Sequence, residues 1–246
     1  MVDGPRRTVV ATFYAPGGWS ERVILDEAAA HHAGVKRLAV GDEVRLTSGD
    51  GRRVHGTIAE LAKRRLVVEC DAESVEHVPR LPQVELLAPV GDRDRMLLLA
   101  EKAVELGASA WRAVVYRRSR SVTPRGEGDA FREKLRLRMI AALEQSAGAW
   151  LPIIEPDLDV RDAAARAVHG HAVLLDALGL PIVDVLAGAR EPLLLACGPE
   201  GGLEAEERTA FTDAGWRAAS LGTNVLRFET AGIAGLALAR ALLRTT

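Results

Sequence analysis

From residue 83 onward, apolar strand-like runs alternate with amphipathic helices, and this alternation constrains the fold more than any other feature of the chain. It predicts strands at 83–88, 110–116, 172–176, 192–196 and 218–221, and helices at 93–106, 130–147, 204–214 and 229–243. Consecutive strands joined by helices favour a mostly parallel sheet that is covered on both faces. The sequence therefore predicts an α/β domain over residues 81–246.

The first 80 residues follow a different pattern, in which short β-prone runs are separated by turns such as Gly49-Asp50-Gly51. The pattern predicts strands at 8–13, 22–25, 43–47, 54–58 and 66–70, with one helix at 27–36. Five short strands joined by tight turns favour a small β-barrel, a type of module that often binds RNA. That link to RNA rests on fold type alone. Pro79, Pro82 and Pro89 mark the change from the first pattern to the second.

The composition is typical of a folded globular protein, with 48% hydrophobic residues in a chain of 246 residues. No run approaches the roughly 18 apolar residues that a membrane span needs, so we expect a cytoplasmic protein. Cys70 and Cys197 are too few for a disulfide framework, and neither has a partner at metal-ligand spacing. The histidines at 31, 32, 169 and 171 lack a cysteine or carboxylate cluster, so we expect no metal site.

Positive charge is concentrated in the middle of the chain, although the net charge is only −2. Residues 91–150 contain twelve Lys and Arg against eight Asp and Glu, whereas residues 151–246 contain eight against thirteen. The densest part contains Arg112, Arg117, Arg118, Arg120 and Arg125. Such a cluster could neutralise several phosphates of a nucleic acid. A solvated helix face with an adjoining loop explains the same charges equally well.

Two segments near the C-terminus, residues 193–203 and 221–231, share the order of apolar strand, glycine turn and helix. In the first, the glycines of Gly198-Pro-Glu-Gly-Gly202 allow a ligand to approach the backbone, and free N–H groups at the helix start can bind it. The loop lacks the Lys-Ser/Thr of a Walker motif and the spacing of a dinucleotide fingerprint. Glu200 would also repel a phosphate. The loop suits an adenosine-type ligand, and a purely structural turn is an equal alternative.

The second segment carries Arg227 between a glycine loop and the start of a helix. An arginine at such a junction is a candidate for binding an anion or for stabilising negative charge that develops in a reaction. The alternative is a surface salt bridge to Glu229 or another carboxylate.

Several motifs, in a fixed order along nearly the whole chain, resemble one known family. They are Val35-Lys-Arg-Leu38, Gly41-Asp-Glu-Val44, Glu101-Lys-Ala-Val-Glu-Leu-Gly107, Arg120-Ser-Val122, Glu144-Gln-Ser146 with Pro152, Gly198-Pro-Glu-Gly-Gly202 with Glu207, Leu221-Gly222, Val225-Leu-Arg227 and Glu229-Thr-Ala231. On these motifs the chain is similar to the RsmE-type 16S ribosomal RNA uridine-N3 methyltransferases of the SPOUT superfamily.

The resemblance implies a PUA-like RNA-binding β-barrel over residues 1–80 and a SPOUT methyltransferase domain over residues 81–246, in which roughly residues 172–243 form a deep trefoil knot. It also implies a homodimer that uses S-adenosylmethionine to methylate N3 of a specific uridine in the 16S rRNA of an assembled or assembling 30S subunit. The implied cofactor-binding residues are Leu175, Cys197, Gly198, Pro199, Glu200, Gly201, Gly202, Ser220, Leu221, Gly222, Val225, Leu226 and Arg227.

Methylation at N3 requires a positioned base, loss of the imide proton and stabilisation of negative charge on the neighbouring carbonyl oxygens. Arg227 is the predicted charge-stabilising residue, because it lies on a cofactor loop and stays protonated. Glu229 is the second predicted catalytic residue, and Glu229 or Glu200 could orient Arg227, take part in proton transfer or merely cap a helix. The predicted RNA-binding residues are Arg37, Lys102, Arg120 and Asn224.

The chain departs from the family pattern at Gly148, Thr223, Asn224 and Phe228. Two of these positions carry arginine in many relatives, so the departures bear on substrate identity. Trp150 could compensate by stacking on a base, although core packing is the simpler expectation for a tryptophan. Two alternative functions therefore stay open, namely methylation of another RNA and a non-catalytic role in ribosome assembly.

Overall fold

The computed structural model describes residues 11–122, 128–166 and 171–243, which form two compact units. The first unit contains the described residues up to Arg80 together with Ile140–Leu151, and the second contains Leu81–Met139 and the described residues from Pro152 onward. No helix within these described ranges is both long enough and apolar enough to cross a membrane.

The first unit is built on a six-stranded, mostly antiparallel sheet. Its elements are β1 (Ala11–Tyr14), β2 (Arg22–Leu25), α1 (Glu27–Val35), β3 (Glu43–Thr47), β4 (Arg52–Ala62), β5 (Arg65–Cys70) and β6 (Glu76–His77). The strand order is β1-β3-β4-β5-β2, with β6 beside β4, and β1 with β3 is the parallel pair. The predicted strand at 54–58 is longer in the structure, and residues 8–10 of the predicted first strand lie outside the described ranges.

The segment Ile140–Leu151 belongs to the first unit, although the sequence pattern assigned it to the second domain. Its contacts explain the difference, because Glu144 Oε1 accepts a hydrogen bond from the backbone of Tyr14 at 2.8 Å. The hydroxyl of Thr47 donates to the carbonyl oxygen of Gly148 at 3.0 Å. Helical periodicity shows that a helix has a buried face, but it does not show which unit covers that face.

The ring of Trp150 also packs within the first unit. A Cβ on Gly51 would lie 2.2 Å from this ring, and the Trp150 indole N–H donates to the carbonyl oxygen of Val78 at 3.1 Å. The guanidinium of Arg80 lies 4.4 Å from the ring centroid. These contacts favour packing over stacking on a base.

The second unit is an α/β structure, as the alternating pattern predicted. Its elements are β7 (Val84–Pro89), α2 (Arg93–Glu105), β8 (Ala110–Val115), α3 (Asp129–Gln145, whose last turns belong to the first unit), β9 (Ile153–Ile154), β10 (Leu158–Asp159), α4 (Val160–Ala165), β11 (His171–Pro181), α5 (Ile182–Val185), β12 (Leu193–Cys197), α6 (Ala205–Asp213), β13 (Arg217–Ser220) and α7 (Phe228–Leu242). The sheet order is β10-β8-β7-β12-β11-β13, with β9 beside β8, and every pair is parallel. The predicted parallel sheet is confirmed.

The three last strands of this sheet set the position of the site. Leu175 on β11 is paired with Cys197 on β12 and with Ala219 on β13, so these three residues lie side by side across the three strands. The register then shifts, and Leu180 takes over the pairing with Ala219. Residues 176–179 therefore leave the ladder next to the loops that follow β12 and β13.

Helix α7 lies close to these strands because two of its residues are glycines. A Cβ on Gly232 would lie 3.1 Å from the sulfur of Cys197, and one on Gly235 would lie 2.8 Å from Leu175 Cδ1. The small residues let the helix approach β12 and β11, which brings its first turn beside the end of the sheet.

Candidate active site

A pocket of about 270 Å³ lies where β11, β12 and β13 end and α7 begins. It is lined by Leu175, Asp176, Ala177, Gly198, Pro199, Glu200, Gly202, Leu203, Arg208, Ala219, Leu221, Gly222, Asn224, Val225, Leu226, Phe228 and Ala231. Crevices at the carboxyl ends of parallel strands are the usual ligand sites of α/β sheets. The lining is mainly glycine and apolar side chains, with a few charged groups.

Nine of the thirteen predicted cofactor-binding residues line this pocket, and four do not. Cys197 is fully buried beneath α7, and Gly201 faces the side chain of Arg118. Ser220 ends β13, and Arg227 precedes the first turn of α7. The assignment of these residues to cofactor binding stays a prediction.

Other lining residues were not among the residues predicted individually to bind the cofactor. Asp176 and Ala177 follow directly on the buried part of β11, so the end of that predicted strand was their available signal. Phe228 and Ala231 lie on the first turn of α7. Arg208 carried no such signal, because its place in the pocket depends on how α6 packs.

The carboxylate of Glu207 accepts two backbone hydrogen bonds close to the turn at Gly198–Gly202. One oxygen of Glu207 accepts from the backbone N–H of Glu204 at 2.8 Å, which fixes the start of α6. Its other oxygen accepts from the backbone N–H of Arg117 at 2.8 Å. The buried carboxylate of Glu207 thus joins the start of α6, two residues after the glycine loop, to the segment that follows β8.

The basic segment after β8 contacts the same loop. The guanidinium of Arg118 donates to the carbonyl oxygen of Gly201, and its Nε lies 2.7 Å from a carboxylate oxygen of Glu204. The sequence offered Arg118 as one of several phosphate-binding residues, whereas the structure places its side chain against the glycine loop.

An ion pair lies in the wall of the pocket. Asp176, whose side chain is 6% exposed, pairs with Arg208 Nε, and Arg208 also donates to the carbonyl oxygen of Leu203 at 3.0 Å. The other oxygen of Asp176 accepts from the backbone N–H of Leu178 at 3.0 Å. The two opposite charges cancel, so this wall is polar without carrying a net charge.

Glu200 and Glu229 both face Arg95, a residue that the sequence did not single out. Glu200 forms an ion pair with Arg95, and Glu229 Oε1 lies 3.9 Å from Arg95 Nε. Glu229 is buried, and its Oε2 has no hydrogen-bond partner among the described residues. The alternative of a salt bridge between Arg227 and Glu229 therefore finds no support.

Arg227 is exposed at the start of α7. Its side chain makes no hydrogen bond or ion pair with any residue in the described ranges, so its charge is available to a ligand. Its catalytic role, like that of Glu229, stays a prediction.

The four predicted RNA-binding residues lie in different surroundings. Arg37 is exposed at the end of α1 with a φ of 57°, and Lys102 pairs with Glu101 and Glu105 at 2.9 and 2.7 Å. Asn224 lines the pocket. The side chain of Arg120 lies outside the part of the structure that can be described.

The fold places this pocket at the ligand-binding edge of a parallel sheet, and comparison with known proteins defines the class as RNA methyltransferase. A family model of the RNA methyltransferase domain matches residues 79–240, and a model of the RNA methyltransferase PUA domain matches residues 25–70. The chain belongs to this family of RNA methyltransferases.

Similar proteins indicate which kind of RNA methyltransferase the chain resembles. The chain is 28% identical over 237 residues to the ribosomal RNA small subunit methyltransferase E of Mycobacterium tuberculosis, covering 93% of this chain and 90% of that protein. It is 26% identical over 241 residues to the protein of that name in Rickettsia conorii, covering 91% and 92%. The crystal structure of the Neisseria gonorrhoeae enzyme bound to S-adenosyl methionine superposes with a TM-score of 0.82 at 25% identity, covering 95% and 98%. The RsmE-type resemblance, with its PUA-like and SPOUT α/β architecture, is confirmed.

Proposed function

We propose that this protein transfers the methyl group of S-adenosylmethionine to N3 of a specific uridine in the 16S rRNA of the small ribosomal subunit. The observation that carries the proposal is the pocket at the carboxyl ends of β11, β12 and β13, with the exposed Arg227 beside it. The family supplies the reaction class, and its relatives are named for small-subunit ribosomal RNA. A ribosomal substrate also implies a cytoplasmic protein.

The lining of the pocket fits the proposed cofactor. Gly198, Gly202 and Gly222 leave the backbone open to a ligand, and a Cβ on Gly222 would meet no atom within 4 Å. The apolar side chains of Leu175, Leu221 and Leu226 suit a flat adenine ring, as the linings of small-molecule pockets generally do. When bound, S-adenosylmethionine supplies an electrophilic methyl group on a sulfonium centre.

The residues of the chain would then act on the base. The guanidinium of Arg227 offers hydrogen bonds and positive charge to a uracil carbonyl oxygen, where negative charge develops as N3 loses its proton. The amide of Asn224, inside the pocket lining, can hydrogen-bond the edge of the base. The target uridine must leave its stack to reach the pocket, as in other enzymes that modify bases.

The same proposal assigns RNA binding to one domain and methyl transfer to the other. A PUA-like domain at residues 1–80 would hold the RNA, with Arg37 on its surface, and residues 81–246 would carry out methyl transfer with a trefoil knot around residues 172–243. The two family matches, at residues 25–70 and 79–240, support this division.

A homodimer is a further part of the proposal. Large apolar side chains are exposed on β11, α5 and the loop before α7, namely Leu178, Leu180, Val183 and Val225. Exposure of this kind is typical of surfaces that pair with another chain. Light scattering would give twice the monomer mass, and Leu180→Glu should reduce that mass.

The direct test measures transfer of labelled methyl groups to 30S particles that lack the modification. The wild-type protein should label a single uridine at N3. Arg227→Ala should lower kcat/KM at least about a hundredfold, as loss of a charge-stabilising group does, while S-adenosylhomocysteine binds nearly as before. Arg190→Ala is the matched control, because this exposed arginine lies outside the pocket lining.

Three results would contradict the proposal. Labelling of another RNA alone would change the substrate, and RNA binding without any labelling would indicate a non-catalytic assembly factor. Near-normal turnover by Arg227→Ala would remove Arg227 from the mechanism.

A further inference from the structure

Arg95 lies in the first turn of α2, outside the pocket lining, yet it contacts Glu200 of the lining and Glu229, the neighbour in sequence of the lining residue Phe228. Its guanidinium pairs with Glu200, which lines the pocket from the glycine loop. Its Nε lies 3.9 Å from Glu229 in the first turn of α7. One side chain on α2 therefore joins two segments that are 29 positions apart in the sequence.

The start of α2 is itself fixed against α7. Asp92 caps the helix by accepting from the backbone N–H of Arg95 at 3.1 Å. Gly91 lies against the ring of Phe228, since a Cβ on Gly91 would be 3.2 Å from this ring. Phe228 lines the pocket, so Gly91, Asp92 and Arg95 form a support for the wall that it belongs to.

The buried carboxylate of Glu229 needs a nearby cation, and Arg95 supplies it. The side chain of Glu229 is 8% exposed, and its Oε2 is buried without a hydrogen-bond partner in the described part of the chain. A buried carboxylate without a counter-ion is strongly unfavourable. Within the described ranges, Arg95 is the cation that lies within ion-pair distance of Glu229.

We propose that Arg95 is a positioning residue for the cofactor site, which holds the Gly198–Gly202 loop and the start of α7 at the separation that the cofactor requires. The inference rests on the proposed function. It assigns Glu229 a role through Arg95, since the buried Glu229 Oε2 is not accessible as a proton acceptor. Without Arg95, the uncompensated charge of Glu229 would displace the first turn of α7 and with it Phe228.

The test is calorimetric titration of the full-length protein with S-adenosylhomocysteine. Arg95→Met should weaken binding about tenfold or more, whereas Arg166→Gln should leave it within about twofold. Arg166 is a matched control because it also pairs with a glutamate, Glu85, in the same unit and with similar exposure, and it does not line the pocket. Arg227→Ala differs from both, since it should impair turnover and spare binding.

A double-mutant cycle with Glu229→Gln separates positioning from a general loss of packing. If Arg95 acts by neutralising Glu229, the loss in Arg95→Met should shrink when Glu229 is already neutral, and the two fold-losses should not multiply. Arg95→Lys keeps the charge on a different side chain, so it should fold and bind with an intermediate affinity.

The outcomes are distinguishable. Failure of the wild-type protein to bind S-adenosylhomocysteine would overturn the proposed function. Normal wild-type binding with an Arg95→Met protein that folds and binds equally well would overturn the role of Arg95. Fold-losses that multiply in the double variant would show that Arg95 does not act through Glu229.

Discussion

The backbone of Gly179 passes so close to Ala218 that a Cβ on Gly179 would lie 2.4 Å from the carbonyl carbon of Ala218. The contact falls where β11 rejoins β13 after the register shift, just beyond the pocket-lining residues Asp176 and Ala177. Only glycine permits this approach, because any side chain would meet backbone atoms that cannot rotate away. The return of β11 to the sheet thus depends on one residue.

Gly179→Ala should therefore destabilise the second unit by about 1–3 kcal/mol, near the upper end of that range, because the clash is with backbone. It should also weaken S-adenosylhomocysteine binding, since Asp176 and Ala177 would move with β11. Urea unfolding and calorimetry measure the two effects. Gly18→Ala is the control, because a Cβ at Gly18 meets nothing within 4 Å. A Gly179→Ala variant as stable as the wild type would contradict the close approach.

Glu207→Ala should cost about 1–3 kcal/mol of unfolding free energy, because two backbone N–H groups, those of Arg117 and Glu204, would lose their acceptor. Glu207→Gln should cost less, since its amide oxygen can still accept one of the two bonds. Urea denaturation of both variants checks the order. Equal stability of the Ala variant and the wild type would show that these two bonds do not stabilise the fold.

Neither cysteine should react with iodoacetamide in the native protein at pH 8. Burial raises the pKa of the Cys70 thiol to about 11 and that of the Cys197 thiol to about 12, so the reactive thiolate is scarce at both positions. Mass spectrometry of the alkylated protein should show both thiols unmodified in buffer and modified in concentrated urea. Rapid modification of Cys197 in buffer would mean that α7 opens readily over β12.

The pattern of the sequence was sufficient for the parallel sheet, because buried strands and amphipathic helices leave regular signals along the chain. The loop at Gly198–Gly202 was equally visible, since glycines between a strand and a helix are local features. The extension of β11 was not visible, because Ala177, Leu178 and Gly179 carry no strand signal of their own. Its pairing with β13 after the register shift is a tertiary contact.

The charged contacts of the site were harder still to predict. Arg95 and Glu200 lie more than a hundred residues apart in sequence, and no spacing rule connects them. Arg118 shows the same limit, because a run of arginines left phosphate binding and a solvated helix face as equal alternatives, whereas the contacts of this side chain with Gly201 and Glu204 depend on the fold. Ion pairs between distant elements are set by how those elements pack, so no local pattern in a single sequence predicts them.

The carboxyl group of Glu144 should make the first unit less stable as the pH rises. Burial is the main cause that raises the pKa of Glu144 above its usual 4.5, and the hydrogen bond from the backbone N–H of Tyr14 and the contact with His32 Nδ1 at 3.2 Å oppose this shift only in part. The folded state therefore holds the proton more tightly than the unfolded chain, so the contribution of Glu144 is fully present below pH 4.5 and is lost as the pH rises through the folded pKa. Glu144→Gln removes this titration and keeps an oxygen that can accept from the backbone N–H of Tyr14. Urea unfolding between about pH 4 and pH 8 should show that the free energy of unfolding of the variant, relative to that of the wild type, increases with pH. A difference in unfolding free energy that does not change with pH would contradict the raised pKa.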